Sequence, residues 1–489
     1  MKNPALKRIS LILAVLTLAA ALLSCGGGGT GGSDVTDAPQ SDNETTAAET
    51  EFVYDYGSLD MEGEEFKILN TEQPYMFYSN LDFEELTGDA LDDEIFARNR
   101  AIESSYNLEI AIDSGHSLQA ASTALQNTVL AGDDVYKAAY LRDTWIASLL
   151  TGGCLADQQD CDSFRFDMPW WDGNAIELNR FGGRQAIFFS FNDVSLVDFE
   201  GTVTVFFNED MMEDLGIEFP YQTARDGKWT LDAYAVLAKA GTNLNGADSY
   251  AWVLDGDAIY GCISYEHFTD SFIIGGDVDF FTRDADNNPR LATQGAKFDA
   301  VVEKVLRLCV NDGEWLFLNN PEPNHYEIAF KNSRTLMTVA QLKAANKYRD
   351  METSYGILPI PKYDEAQENY RCLRSYTYVL CIPATNADMD NTAVVMDALA
   401  YRSYADVMPV FYEGRVSQKT LRNQDSIDML AIMRDSRYYD IGQAYGWGDT
   451  IKAIFRSCAK SKKTEYASDV ESKRTAIEAS IEKIIETIG

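Results

Sequence analysis

Short apolar runs alternate with helically spaced apolar positions along most of the chain. Phe66-Lys67-Ile68-Leu69 reads as a first strand. Leu91, Ile95, Ile102 and Tyr106 then recur near helical spacing, and Leu108 to Ile112 alternates as a strand does. Leu118, Leu125 and Val129 predict a second helix, stopped by Gly132, and Val135 to Leu141 a third strand. Strand, helix, strand, helix, strand at this spacing predicts a parallel α/β sheet. Further on, Val203 to Phe207 is a strand, and Trp229-Thr230 opens a helix with Thr230 as its N-cap. Ile477, Ile481, Ile484, Ile485 and Ile488 form one apolar stripe, so the chain closes on an amphipathic helix. No internal repeat of 20–50 residues is visible.

The N-terminus follows a different pattern. Lys2, Lys7 and Arg8 precede an apolar run from Ile9 to Leu23, 15 residues long and short of the roughly 20 needed to span a bilayer. Leu22-Leu23-Ser24-Cys25 resembles a bacterial lipobox. The resemblance implies that residues 1–24 are a signal peptide, and that Cys25 is acylated and anchors the protein at the extracellular face of the cell membrane. Residues 25–60 begin with a Gly run and continue in Ser, Thr, Asp and Glu without a repeating apolar face. Such a segment is a flexible, self-repelling linker.

Composition narrows the function. The chain has 489 residues, 41 Lys+Arg against 77 Asp+Glu, and a formal charge of −36. That length suits two large lobes or a few ordinary domains. The charge argues against nucleic acid, whose recognition needs basic surface, and against binding of the folded surface to anionic lipid. Only His116, His267 and His325 are available for His-based catalysis or zinc, and no H-E-x-x-H, G-x-S-x-G or G-x-x-x-x-G-K-[ST] occurs. Asp284-Ala285-Asp286-Asn287-Asn288 has the alternating oxygens of a calcium loop, but Pro289 stands where the turn needs Gly. The expectation is a polar turn, with no metal and no cofactor. Besides Cys25 there are seven cysteines, and Cys154–Cys161, Cys372–Cys381 or none of them are paired.

Four segments carry a family resemblance. Val205-Phe206-Phe207-Asn208-Glu209-Asp210, running on to Leu215-Gly216-Ile217, looks like the strand-Y-N-K-D signature of extracellular solute-binding proteins of bacterial ABC importers. Trp229-Thr230-Leu231-Asp232, Ala329 to Met337 and Tyr355 to Tyr363 resemble further elements of that family in the same order. Ser333 stands where the family has Gly, and Phe207-Asn208-Glu209 where it has Tyr-Asn-Lys. The resemblance implies a two-lobed α/β fold of the periplasmic-binding-protein type II kind, with a hinge between the lobes. It places the first lobe at 65–200 plus 376–406 and the second at 203–375 plus 407–489. A small solute, most simply a carbohydrate, would bind between them and pass to a membrane permease, with the binding protein acting as a monomer.

Candidate contacts follow from topology and chemistry. Tyr140, Arg142 and Asp143 end a strand and start a helix, with a ring to stack on a sugar and charges to bond its hydroxyls. Trp170-Trp171 is a second candidate, because two adjacent indoles cannot both point into one helix or strand core. Trp229, at a helix start, is expected in the core. Glu266, His267, Arg374, Tyr376 and Trp447 complete the set of ligand candidates. Two other readings stay open: an anchored glycan hydrolase using paired carboxylates, and a binding protein for peptides or cationic solutes.

Overall fold

The computed structural model describes residues 54–73, 76–318, 325–412 and 424–488. The signal peptide, Cys25 and most of the linker lie outside them.

The first lobe grows from the predicted alternation. Strand β1 (Glu64–Thr71) buries Phe66, Ile68 and Leu69 and pairs in parallel with β2 (Leu108–His116). The helix Ala90–Tyr106 connects them. Asp89 caps its start by accepting from the Leu91 N–H, and Asn107, at φ 49°, ends it. Gly132, at φ 78°, closes the helix Leu118–Ala131, after which β3 (Ala138–Arg142) pairs in parallel with β1.

The second sheet starts at β4 (Val203–Asn208), whose residues are buried throughout. Thr230 caps the helix Leu231–Ala240, and Trp229 is buried as expected. Then come β5 (Tyr260–Ser264), the hairpin β6 (Phe281–Arg283) and β7 (Pro289–Leu291), β8 (Trp315–Phe317), β9 (Thr335–Gln341) and β10 (Tyr355–Leu358). Five of these seven strands form a mixed sheet in the order β10-β4-β9-β5-β8, while β6 and β7 pair only with each other. The chain passes through β11 (Cys372–Leu373) and returns to the first sheet as β12 (Tyr378–Cys381), antiparallel to β3. The first sheet therefore reads β12-β3-β1-β2. The helix Met389–Arg402 packs back on Ala90–Tyr106. The final helix, Ala467–Ile488, carries the predicted stripe: Ile477, Ile481, Ile484 and Ile488 are buried.

The sheets are joined by a hydrogen-bonded ribbon of extended segments. The Leu342 N–H donates to the Thr202 carbonyl (2.8 Å) and the Ser375 N–H to that of Gly201 (3.0 Å). The Arg374 N–H donates to the Tyr438 carbonyl (2.9 Å), and β11 pairs in parallel with β13 (Arg437–Tyr438). At Gly201 the strands approach so closely that a Cβ would lie 2.0 Å from the Tyr376 carbonyl oxygen, so only glycine fits.

Candidate functional site

Three strands end at the seam between the lobes with polar side chains. β3 ends in Arg142, and Asp143 follows it, fully buried. The Asp143 carboxylate pairs with Arg142 (2.7 Å) and accepts from Tyr439 Oη (3.1 Å) and Gln443 Nε2. The Arg142 guanidinium lies 3.9 Å from the centroid of the Tyr376 ring and donates to the carbonyls of Ser375 and Thr377. Lys343, two residues past the end of β9, places its ammonium 5.8 Å from the same centroid. Tyr376 is half-buried, so cations from both lobes lie close to its ring without sealing it off.

Beside it, the Glu200 carboxylate, at the crossing from one lobe to the other, accepts from the backbone N–H of Phe77 (2.8 Å) and Tyr78 (3.0 Å). Burial pushes its carboxyl up to about 7 although those bonds favour the ionised form. Burial likewise pulls the Lys343 ammonium down to about 8, against the pull of Glu200. Lys347 pairs with Glu327 (2.6 Å), which also accepts from Tyr326 Oη (3.0 Å). Tyr326 meets Tyr265 edge-on at 4.7 Å, and Tyr265 stacks with His267 at 5.2 Å. Glu266 and His267 lie in the turn after β5, which packs on the helix Trp447–Ser461.

The structure thus brings Arg142, Asp143 and Tyr376 together and sets Glu266 and His267 at the end of a second-lobe strand. Sequence reasoning missed Glu200, Lys343, Tyr439, Gln443 and the 76–78 loop. The strand-end rule that found Arg142 would also have found Lys343 and the loop, had it been applied to β9 and β1.

Four expected rings and one cation are placed differently. Tyr140 is buried inside the first lobe, its hydroxyl donating to Asn192 Oδ1 (2.8 Å). Trp170 and Trp171 are both buried, and both indole N–H groups donate to the same oxygen of Asp397 (2.9 and 2.8 Å). They share one core because they occupy an irregular turn and an isolated bridge to Asn192, where the alternation of a strand or helix does not apply. Trp447 is buried and stacked on Tyr445 at 4.8 Å. Arg374 is buried in ion pairs with Asp172 (2.9 Å) and Asp198 (3.1 Å) beside the ribbon. Away from Tyr376, Arg374 lines a cavity of about 570 Å³ between the helix Gly173–Asn179 and the β6 segment.

Asp284 to Asn288 form the turn of the β6–β7 hairpin, where Asp284 Oδ1 accepts from the Asp286 and Asn288 N–H groups (3.0 and 2.9 Å). Among the described residues no group of three or more His, Cys, Asp and Glu is arranged to hold a metal ion. The seven described cysteines are buried, unpaired thiols. Among the described residues no helix is long and apolar enough to cross a membrane.

No protein-family model matches the chain, and no curated protein matches it. Solved structures do. A cyclic α-maltosyl-1,6-maltose binding protein from Arthrobacter globiformis superposes with a TM-score of 0.58 at 10% identity, covering 85% of this chain and 98% of that one. A sugar transporter from Rhizobium etli in an open conformation gives 0.54 at 13% identity, covering 87% and 98%. An ABC substrate-binding protein from Listeria monocytogenes in complex with cycloalternan gives 0.51 at 13% identity, covering 87% and 99%. At these identities the likeness is one of fold. The chain has the two-lobed α/β architecture of periplasmic binding proteins, as its sequence segments led us to expect.

Proposed function

We propose that this chain is a lipid-anchored, extracellular solute-binding protein that captures a carbohydrate or oligosaccharide between its lobes and passes it to an ABC-type permease. One observation carries the reading: the Tyr376 ring lies close to both Arg142, at the carboxyl end of β3, and Lys343, just past that of β9, so that cations from both lobes meet at one aromatic ring. An aromatic ring with donors from both lobes near it suits a solute ring with an apolar face and hydroxyl edges. The saccharides named for the similar solved structures support the solute class. We assign residues 65–200 plus 376–406 to one lobe and 203–375 plus 407–489 to the other, with Cys25 as the acylated anchor and the monomer as the working unit. Glu266 and His267 are the second lobe's further contacts.

A thermal-shift panel of mono- and oligosaccharides, amino acids and peptides tests this, with chromatography of the incubated sugars. The expected result is a raised melting temperature with at least one saccharide and no new product. A shift with peptides or amino acids alone would overturn the solute class, and a cleavage product would make the protein a hydrolase.

A further inference from the structure

The lobes are also fastened outside the ribbon, at the first-lobe turn 180–187. That turn is tied to its own lobe: Arg184 pairs with Asp157 (2.9 Å) and Asp160 (2.6 Å), and the Ile187 N–H donates to Asp157 (2.8 Å). Gln158, next to Asp157, donates to the Leu380 carbonyl of β12 (3.1 Å).

Three second-lobe elements seat on the turn. At the tip of the β6–β7 hairpin, Asn287 Nδ2 donates to the Arg180 carbonyl (3.1 Å) and to Gln185 Oε1 (3.0 Å). Arg283, at the end of β6, donates to the Glu177 carbonyl just before the turn and to Asn287 Oδ1 (2.9 Å), so it reaches across and also fixes the neighbouring amide. The buried Phe181 ring meets Tyr445 edge-on (5.3 Å). The helix Ala467–Ile488 packs on β7 and on the helix Trp447–Ser461, but also on the first-lobe helix Ile146–Thr151. Its Ile488 lies against Gly182, where a Cβ would be 3.8 Å away.

The hairpin belongs to neither large sheet, and its turn is stiffened from within by Asp284, which pairs with Arg290 (2.6 Å). Its bonds to the first lobe come from amide and guanidinium groups at partly exposed positions, where water can replace them when the lobes part. Asn287 (φ 61°) and Gln185 (φ 57°) both sit in the left-handed region, where non-glycine residues stay only if their surroundings hold them. The final helix has 22 residues and is therefore a rod of about 33 Å. A rod gripped by two bodies cannot follow both when they turn, so its last turn must leave the first lobe before the lobes rotate apart.

We propose that the β6–β7 hairpin and the end of the final helix form a clasp that holds the lobes in this arrangement, so that the space between them opens only when both let go of the turn. The clasp acts on the two bodies whatever the solute, and so goes beyond the sugar-binding reading without resting on it.

Spin labels at Asn127→Cys and Lys239→Cys, exposed helix positions of the first and second lobes, report the spacing of the bodies by pulsed dipolar spectroscopy of the full chain. A Cys25→Ser background leaves only buried native thiols. The parent should give one distance. Arg283→Ala with Asn287→Ala, and a chain ending at Ile481, should each add a second distance while still unfolding cooperatively. Combining them should raise the share of that second distance at least tenfold over the parent. One unchanged distance in the combined variant overturns the clasp, as does a parent already divided between two distances. Faster amide exchange at 284–288 in the hairpin variant, at unchanged spacing, makes the contact local packing and overturns it too. If the shortened chain does not fold, Arg283→Ala with Asn287→Ala decides alone, by whether the second distance appears.

Discussion

Asp397 and Tyr376 are each surrounded by rings and cations, but they belong to different kinds of cluster. Asp397 is fully buried and accepts from Trp170, Trp171 and Arg165 of the first lobe and from Tyr54, which is buried against them although it falls in the segment expected to be a flexible linker. Tyr376 meets Arg142 from one lobe and Lys343 from the other and stays partly open. The residue types are nearly the same. What differs is whether the partners come from one lobe or from both, and only the second arrangement would report a movement of one lobe against the other. Aromatic-plus-charge composition therefore does not mark a binding site, whereas the division of its partners between lobes does.

The most severe break in that contrast is Asp397→Ala. It leaves two indole N–H groups, a phenol and a guanidinium without their shared acceptor, and should cost about 3–5 kcal/mol of stability in denaturant titrations. Saccharide affinity of the fraction still folded should be unchanged. Loss of affinity at intact stability would erase the distinction.

Glu200 gives the next largest effect. Its carboxyl is held near 7 by burial, above the ordinary 4.5. Between those values the folded chain binds the extra proton, so stability from this group falls as pH rises through the window. The full cost, about 3 kcal/mol, is reached above pH 7. Glu200→Gln should flatten the pH dependence of unfolding between about pH 4.5 and 7. An unchanged slope would show that the carboxyl titrates normally. Lys343, pulled down to about 8, acts in the opposite sense: stability rises with pH between about 8 and its ordinary 10.5. The two windows are separable in one titration series.

Tyr376→Ala is the subtlest test. Truncating a half-buried ring should cost less stability than emptying the Asp397 cluster does, but about 1–3 kcal/mol of binding, roughly 5- to 150-fold in Kd. Equal losses of stability and affinity would place Tyr376 with the Asp397 cluster after all.

Sequence periodicity recovered the elements held together by near neighbours. Leu91, Ile95, Ile102 and Tyr106 lie on the buried face of one helix, and Gly132 does close the next. The stretch from Cys154 to Glu200 was opaque, because it is mostly turns and isolated bridges whose burial follows no period. The Trp170–Trp171 expectation failed there for that reason. Ser333, noted as a departure from a family glycine, sits at φ 53°, which accounts for glycine at the corresponding place, and Asn208 holds its hydroxyl at 3.0 Å. The site was legible where one segment carried both topology and chemistry, as at Arg142-Asp143. Glu200 was not, since its role exists only once Phe77 and Tyr78 are folded against it; Lys343, two residues past the end of β9, lay within reach of the same strand-end rule.

The pairing of β12 with β3 also sets the order in which the molecule can be finished. Tyr378 bonds across to Arg142, so the first sheet lacks its edge strand until the entire second sheet has been made. Until then β3 presents an open row of backbone donors and acceptors, the kind of edge on which chains join one another. Contacts this distant in sequence form slowly. Folding speed and resistance to aggregation should therefore be governed by how soon residues 378–381 arrive, and a helper that covers the β3 edge in the interval would raise the yield of native protein more than one that shields the second lobe.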